Sequence, residues 1–209
     1  MSYHERRQQL ADTLKQQTAG SVRLDKTTSN VFRDRPTTQA QRLLDVSQFN
    51  HVLNVDPQNS LIETEGMTTY EALVDRSLSH GVMPAVVPQL KSITIGGAVS
   101  GIGIESSSFR YGLPHESIGE MDVLLGSGEV VTCTPDNEHR DLFYGLANSY
   151  GTLGYILRLT VLAITVKPYV QLTRIRLTDV GALFDAVRTG AERDIDFMDG
   201  TVFQPGEHS

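Results

Sequence analysis

The chain has 209 residues, a formal net charge of −7, 39% hydrophobic residues and 21% charged residues. This composition is typical of a soluble globular protein, and the acidic balance argues against nucleic acid or an anionic membrane surface as a partner. The single cysteine, Cys133, excludes an internal disulfide and suits a reducing compartment, so we expect a cytoplasmic protein. The six histidines show no metal-ligand spacing, and no apolar run has the length of a transmembrane segment.

Short strands and helices are predicted for the first half of the chain. Thr68 and Glu71 form a capping-box pattern, which predicts a helix from Thr68 to about His80. Gly81 is expected to end this helix. The hydrophobic pattern upstream predicts a helix over 4–18 and strands over 22–24, 43–46, 51–55 and 61–65.

The second half predicts hairpins and longer strands. Two apolar runs, 121–125 and 129–133, are joined by Gly126, Ser127 and Gly128, which is a hairpin signal. An α/β half therefore precedes a largely antiparallel half, and a ligand in the crevice between two such halves is typical. The remaining predicted elements are a helix over 137–148, strands over 155–166, 170–177 and 195–203, and a helix from Asp179 to about Thr189.

Four glycines lie within eight residues in the stretch TIGGAVSGIGIES, at Gly96, Gly97, Gly101 and Gly103. Glycine is costly to order, so such a cluster indicates a sharp turn or a close approach to a ligand. Backbone amides in a turn, with serine hydroxyls beside them, make an anion site. Branched aliphatic residues between the glycines argue against a flexible linker. The stretch therefore predicts a packed loop that holds a phosphate or pyrophosphate.

Two familiar phosphate-binding motifs do not fit this stretch. A P-loop requires a lysine after its glycines, whereas Lys91 precedes them. A Rossmann fingerprint requires a helix that opens directly after its glycines. Gly112 and Pro114 interrupt such a helix, so the near match at Gly101 and Gly103 is weak.

Several motifs occur in a fixed order after the glycines: SSSFRYGL, VTCTP, DLFY and GTLGYI. Together they resemble flavoproteins of the vanillyl-alcohol-oxidase type, whose FAD-binding domain is named after p-cresol methylhydroxylase (PCMH). Within that group the chain resembles most closely the delta-24-sterol reductase family and its bacterial relatives, over about residues 22–177. The resemblance implies an α+β fold with a two-subdomain PCMH-type FAD-binding domain over 1–170. Subdomain 1 would cover about 20–92 and subdomain 2 about 93–170, with the start of a truncated substrate or cap domain at 171–209.

The resemblance also implies the cofactor, FAD, and the segments that hold it. The glycine-rich stretch would approach the pyrophosphate and the flavin edge, KTTSN would form the first pyrophosphate loop, and GTLGYI would lie near the cofactor. Many relatives attach FAD through a histidine in the first loop, and KTTSN has none, so we expect noncovalent FAD. The expected cofactor-binding residues are Thr94, Ile95, Gly96, Gly97, Ala98, Val99, Ser100, Gly101, Ile102, Gly103, Ile104, Glu105 and Ser106, with Lys26, Thr27, Thr28, Ser29 and Asn30, and with Gly151, Leu153, Gly154 and Ile156.

The activity implied by the resemblance is that of a flavin-dependent oxidoreductase, of which this chain supplies the cofactor-binding part. One alternative is reduction of a carbon–carbon double bond with NADPH, and another is oxidation of an alcohol-type substrate. A flavin-binding module without turnover is the non-enzymatic alternative. The family continues into a domain that covers the flavin ring, whereas this chain ends at Ser209, so it is expected to be a fragment or a naturally shortened protein. No catalytic residue is assigned.

Other polar residues near the glycines are weaker candidates. Arg110 would neutralise a phosphate or the reduced flavin, or else be a solvated loop arginine. His115 is a candidate general acid or base. Glu105 would hydrogen-bond neighbouring amides, or ribose or flavin groups, whereas Cys133 is expected to be a small buried hydrophobe. The segment after Val170 is expected to be poorly anchored.

Overall fold

The computed structural model of the chain describes residues 1–16, 21–25 and 42–203. The helices in this part are α1 (Tyr3–Gln16), α2 (Tyr70–Leu78), α3 (Ile95–Gly101), α4 (Ser108–Tyr111), a 3-10 helix (Pro114–Ser117), α5 (Arg140–Gly145) and α6 (Val180–Ala191). The strands are β1 (Val22–Asp25), β2 (Arg42–Asp45), β3 (Val52–Asp56), β4 (Leu61–Glu65), β5 (Val82–Pro84), β6 (Ile118–Leu124), β7 (Val130–Cys133) and β8 (Tyr155–Thr165). The predicted α+β fold is confirmed. No helix of these residues is long and apolar enough to cross a membrane.

Within the described residues, one antiparallel sheet dominates the fold. Its strand order is β3-β4-β8-β6-β7, and β5 pairs with the C-terminal end of β8, at residues 163–165. A separate parallel pair joins β1 and β2. Because β3, β4 and β5 precede residue 92 and share the sheet with later strands, the sheet extends across the predicted division into 20–92 and 93–170. The glycine-rich stretch thus borders one continuous sheet, and the division into subdomains stays a prediction.

Two apolar clusters form the core in the described residues. One cluster joins the sheet to α2, α3 and α5, through Leu73, Val99 and Phe143. Cys133 belongs to this cluster and is fully buried, as expected. Burial raises the pKa of its thiol to about 11, which makes the residue an unreactive apolar filler. The other cluster, with Leu14 as its most buried residue on α1, joins α1 and β2 to the sheet.

Buried charges also bind α1 to the sheet. Arg6 pairs with Glu65 at the end of β4, and the Glu65 side chain is fully buried. The Tyr3 hydroxyl donates to the Asp122 carboxylate of β6 at 2.7 Å, and Nε of Arg158 on β8 donates to the same carboxylate at 2.9 Å. Burial raises the pKa of Asp122, but these hydrogen bonds outweigh burial and hold that pKa below its usual value.

Most local predictions for the described residues are confirmed. The β6–β7 hairpin turns at 126–128 as expected, and Gly81, with a φ of 73°, follows α2. Oδ1 of Asp179 accepts a hydrogen bond from the Ala182 amide at 2.8 Å and so caps α6 as predicted. The strands predicted at 22–24, 43–46, 51–55, 61–65 and 155–166 correspond to β1, β2, β3, β4 and β8, and the helices predicted at 4–18 and 137–148 to α1 and α5.

The capping box predicted at Thr68 is wrong by one residue. The cap of α2 is Thr69, whose hydroxyl oxygen accepts from the Ala72 amide at 3.3 Å. Thr68 is fully buried, and its hydroxyl donates instead to the backbone carbonyl of His51 at 3.2 Å. The position of this hydroxyl inside the core therefore decides which of two adjacent threonines caps the helix.

The strands predicted at 170–177 and 195–203 are wrong. Neither segment pairs with a strand in the described part of the chain. The alternation of apolar residues at 170–177 indicates an extended amphipathic segment, and side chains such as Tyr169, Val170 and Leu172 are largely exposed there. A strand requires a neighbour to satisfy its backbone groups, and this alternation does not provide one.

Candidate functional site

The first half of the glycine-rich stretch is a helix, so the predicted loop is wrong there. Helix α3 begins after Thr94, whose hydroxyl oxygen accepts from the Gly97 amide at 3.3 Å. The Ile95 amide donates to the carbonyl of Thr68 and the Gly96 amide to that of Gly66, both at 2.9 Å. These three amides are already bonded within the protein, so they are not free to bind a phosphate.

Gly66 lies between α3 and β8, and its backbone packs closely against the backbone of both elements. A Cβ built on Gly96 would lie 2.8 Å from the Gly66 carbonyl oxygen, and a Cβ on Gly66 would overlap the carbonyl oxygen of Ile156. The Gly66 amide donates to the carbonyl of Leu157 at 2.9 Å. Gly66 thus joins the glycine-rich stretch to the GTLGYI segment. Sequence reasoning missed it, because a lone glycine after a strand carries no local signal for such packing.

The second half of the stretch exposes unpaired backbone donors. We call residues 102–107 the amide segment. The N–H groups of Gly103, Ile104 and Ser106 have no acceptor among the residues that the structure describes. Ile102 has a φ of 58°, a left-handed value that is strained for a β-branched residue. A strained backbone beside free donors is typical of a ligand-binding turn.

The amide segment is held in place by its neighbours. The Glu105 amide donates to the Ser108 hydroxyl at 3.0 Å, and the Ser107 hydroxyl donates to the carbonyl of Ala85 at 2.8 Å. The Glu105 carboxylate accepts from the Gln89 amide at 3.2 Å, which confirms that Glu105 bonds a neighbouring amide. Partial burial raises the pKa of Glu105. The polar groups that surround the free donors therefore fix the segment without using those donors.

The structure brings the GTLGYI segment to the end of α3. The Tyr150 amide donates to the carbonyl of Ser100 at 3.0 Å. Tyr150 has a φ of 51°, which is strained for a residue with a bulky side chain, and Asn148 and Gly151, at 59° and 82°, are residue types that adopt positive φ more readily. A Cβ on Gly154 would lie 2.7 Å from the Val123 side chain, so the role of Gly154 in the structure is close packing on β6. Residues 26–30, the predicted KTTSN loop, lie outside the described residues.

Polar donors and apolar side chains lie together at this site. No atom crowds Gly101 or Gly103, because Cβ atoms built there would meet only the Tyr150 ring at 3.9 Å and the Glu105 carboxylate at 3.5 Å, which are ordinary contact distances. The Ile104 side chain is 82% exposed, and Ile102 and Tyr150 are exposed as well. Free amides suit a diphosphate and exposed apolar side chains suit a flat ring system. The described residues therefore fit FAD.

The two charged or titratable candidates that follow the glycine-rich stretch, Arg110 and His115, do not contact the free amides. Nη2 of Arg110 lies 3.3 Å from the Asp194 carboxylate and 3.4 Å from the carbonyl of Arg193, so Arg110 contacts the C-terminal part of the chain. Nδ1 of His115 is buried without a hydrogen-bond partner among the described residues. The role of His115 as a general acid or base stays a prediction. No group of three or more metal-binding side chains occurs in the described residues.

Comparison with known proteins identifies the kind of domain that these residues form. A family model described as an FAD binding domain matches residues 7–134. The chain is 32% identical to the Delta(24)-sterol reductase of Arabidopsis thaliana over 172 residues, which cover 78% of this chain and 31% of that protein. It is 34% identical to the Delta(24)-sterol reductase of Pisum sativum over 130 residues, with 62% and 23% covered. Cytokinin dehydrogenase 10 of Oryza sativa subsp. japonica is 29% identical over 131 residues, with 63% and 24% covered. The matched part of the chain thus spans between 23% and 31% of these relatives.

Proposed function

Because the chain belongs to the FAD binding domain family of the vanillyl-alcohol-oxidase and PCMH flavoproteins, we propose that it binds FAD noncovalently and forms the cofactor-binding part of a flavin-dependent oxidoreductase. The proposed site comprises residues 94–106, the GTLGYI segment and the predicted KTTSN loop. A cytoplasmic location is part of the proposal, supported by the single, buried Cys133. So is the division of the chain into an FAD-binding domain over 1–170 and the start of a substrate domain over 171–209.

The observation that carries this proposal is the set of free amides beside the glycines. In the proposed complex the N–H groups of Gly103 and Ile104 donate to the diphosphate, and the missing side chains of Gly101 and Gly103 let it approach the backbone. The side chains of Ile102 and Tyr150 are exposed and would exclude water from a bound flavin ring. When bound, FAD supplies hydride transfer.

The proposed reaction is reduction of a carbon–carbon double bond of a small molecule with NADPH as the electron donor. Support comes from two relatives named Delta(24)-sterol reductase, at 32% and 34% identity. The second candidate is oxidation of an alcohol-type or similar substrate, and the relative named cytokinin dehydrogenase 10 favours it. Both reactions use the same cofactor site, so the site alone does not discriminate between them.

We expect FAD to bind to the purified chain and Gly103→Val to weaken its affinity about tenfold, which corresponds to about 1.4 kcal/mol. A valine side chain would cover backbone that the diphosphate is proposed to approach, next to the Glu105 carboxylate, which a Cβ at this position would already contact at 3.5 Å. Quenching of flavin fluorescence on titration measures the dissociation constant, and acid precipitation should release all of the flavin. Gly119→Val is the matched control, because a Cβ on Gly119 meets no atom within 4 Å. Absence of FAD uptake by the unmodified chain would contradict the cofactor, and equal affinities in the two variants would contradict the location.

We expect NADPH to bleach the bound flavin under anaerobic conditions, because the proposed reductase takes its electrons from this donor. The measurement is the loss of flavin absorbance in the FAD-loaded chain after NADPH is mixed in, with NADH and a panel of alcohols as parallel samples. Bleaching by an alcohol and not by NADPH would support the second candidate. Bleaching by none of them would favour a flavin-binding module without turnover.

A further inference from the structure

A second segment of the chain runs beside the amide segment. We call residues 193–199 the strap. The Met198 amide donates to the carbonyl of Ser106 at 2.9 Å, so a backbone hydrogen bond joins the strap to the amide segment. Nε2 of Gln89 lies 3.5 Å from the Asp199 carboxylate, at the end of the strap. The expectation of poor anchoring after Val170 is therefore wrong for the strap.

Arg110 extends this contact to α4, the helix that follows the amide segment. Its guanidinium lies between the Asp194 carboxylate, at 3.3 Å, and the carbonyl of Arg193, at 3.4 Å. The Asp194 side chain is fully exposed, so this ion pair alone contributes little. The strap acts through several contacts that fix the same short stretch of backbone, from Ser106 to Arg110.

The opposite side of the strap packs on α6. A Cβ built on Gly190 in α6 would lie 2.8 Å from Sδ of Met198 and 3.3 Å from Cδ1 of Ile195. A side chain at this position of α6 would therefore displace the Met198 side chain. The strap thus connects α6 to the amide segment, and a change in the position of α6 would be transmitted to the free N–H groups.

A strained segment with unpaired donors keeps its shape only if surrounding contacts determine it. On one side of the amide segment, Ala85 and Gln89 supply those contacts. Among the described residues beyond 170, the strap supplies the backbone contact on the other side, through Met198. Loss of the strap would remove the contact at Ser106, and the nearby donors of Gly103 and Ile104 would then lose their alignment.

We propose that the strap positions the amide segment, so that the affinity of the site for FAD and the order of the strap are coupled. Arg110 and Met198 are positioning residues that act through Ser106 and α4. The coupling to FAD rests on the proposed function, whereas the positioning of α4 does not. Coupling is reciprocal, so bound FAD should also slow hydrogen exchange at the Met198 amide.

The test compares two double variants of the full chain. Asp194→Ala removes the carboxylate that Arg110 contacts. Met198→Pro removes the N–H group that donates a hydrogen bond to the Ser106 carbonyl. Asp196→Ala with Val202→Pro is the control, because it also replaces an aspartate by alanine and introduces a proline, at an exposed strap position and an exposed position beyond the strap that make no hydrogen bond within the described part of the chain. Circular dichroism and a thermal melt verify that both variants are folded.

The first readout is hydrogen exchange in FAD-free protein at the α4 amides, including those of Arg110 and Gly112, which donate to Ser107 and Ser108. We expect exchange about threefold faster in the strap variant and unchanged in the control. The second readout is the dissociation constant for FAD, which should rise about fivefold in the strap variant alone. If the strap variant does not fold, hydrogen exchange at the Met198 amide of the unmodified chain is compared with and without FAD. Slower exchange with FAD supports the coupling, and unchanged exchange overturns it.

Each outcome supports or overturns a separate statement. Unchanged exchange at α4 in the strap variant overturns the positioning role, whatever the FAD affinity. Faster exchange with unchanged FAD affinity overturns the coupling and leaves the proposed function intact. Faster exchange in a chain that takes up no FAD upholds the positioning of α4, overturns the proposed function and removes the coupling with it.

Discussion

Replacing Gly66 by alanine should lower the free energy of unfolding by at least about 4 kcal/mol, which is a large fraction of the stability of a typical domain. A methyl group at this position would overlap the carbonyl oxygen of Ile156, which belongs to the central strand β8. Backbone cannot move aside as a flexible side chain can. The Gly66 carbonyl also accepts from the Gly96 amide, so displacement of Gly66 would disturb the start of α3.

Urea unfolding followed by circular dichroism measures this effect, with Gly119→Ala as the control. Gly119 lies in β6, where an added Cβ meets no atom within 4 Å. Because alanine restricts the unfolded chain more than glycine does, the control should change stability by less than about 1 kcal/mol in either direction. A Gly66→Ala variant as stable as the Gly119→Ala variant would show that Gly66 does not separate α3 from β8.

Replacing Arg158 by methionine should lower the free energy of unfolding by about 3–5 kcal/mol, because it leaves the buried Asp122 carboxylate without its main cationic partner. Arg158 donates to Asp122, which is 2% exposed, and also pairs with Glu63 and Glu120. In the variant, Asp122 would keep the Tyr3 hydroxyl as a donor and lose its main countercharge. The methionine side chain preserves most of the packing volume, so the loss reports charge rather than a cavity.

The matched control is Arg188→Met, which removes an exposed ion pair. Arg188 lies 3.0 Å from Asp185, and both side chains are more than 70% exposed. Solvent screens such a pair, so the control should cost less than about 0.5 kcal/mol. Equal midpoints of urea unfolding for the Arg158 and Arg188 variants would contradict the structural role of Arg158 and its carboxylate partners.

The elements that the sequence predicted correctly are those with local signals. The β6–β7 hairpin depends on Gly126, Ser127 and Gly128, and the start of α6 depends on the side chain of Asp179. Helix α3 also has a capping residue, Thr94, but three glycines among its seven residues disfavour a helix and conceal that signal. It forms because Gly96 bonds to Gly66, a contact across the fold that no local pattern contains.

The site was partly predictable for the same reason. The glycine-rich stretch and GTLGYI stood out by composition, and the structure joins them through the bond from Tyr150, the residue before GTLGYI, to Ser100. The sequence did not indicate that the free amides would be those of the amide segment, because this depends on which amides tertiary contacts have already occupied. The sequence suggested Arg110 as a residue that neutralises a phosphate or the reduced flavin. Its partner in the structure is Asp194, 84 residues further along the chain.

The position of β8 in the sheet determines the order in which the domain is completed during its synthesis on the ribosome. Strands β4 and β6 do not pair with each other, and each pairs with β8, which the ribosome produces last of the strands in this sheet. The β3–β4 and β6–β7 hairpins can therefore form early, but they stay unjoined and leave open edges until Thr165 has emerged. The nascent domain gains its cooperative stability in one late step, and the interval before that step is when it depends most on chaperones.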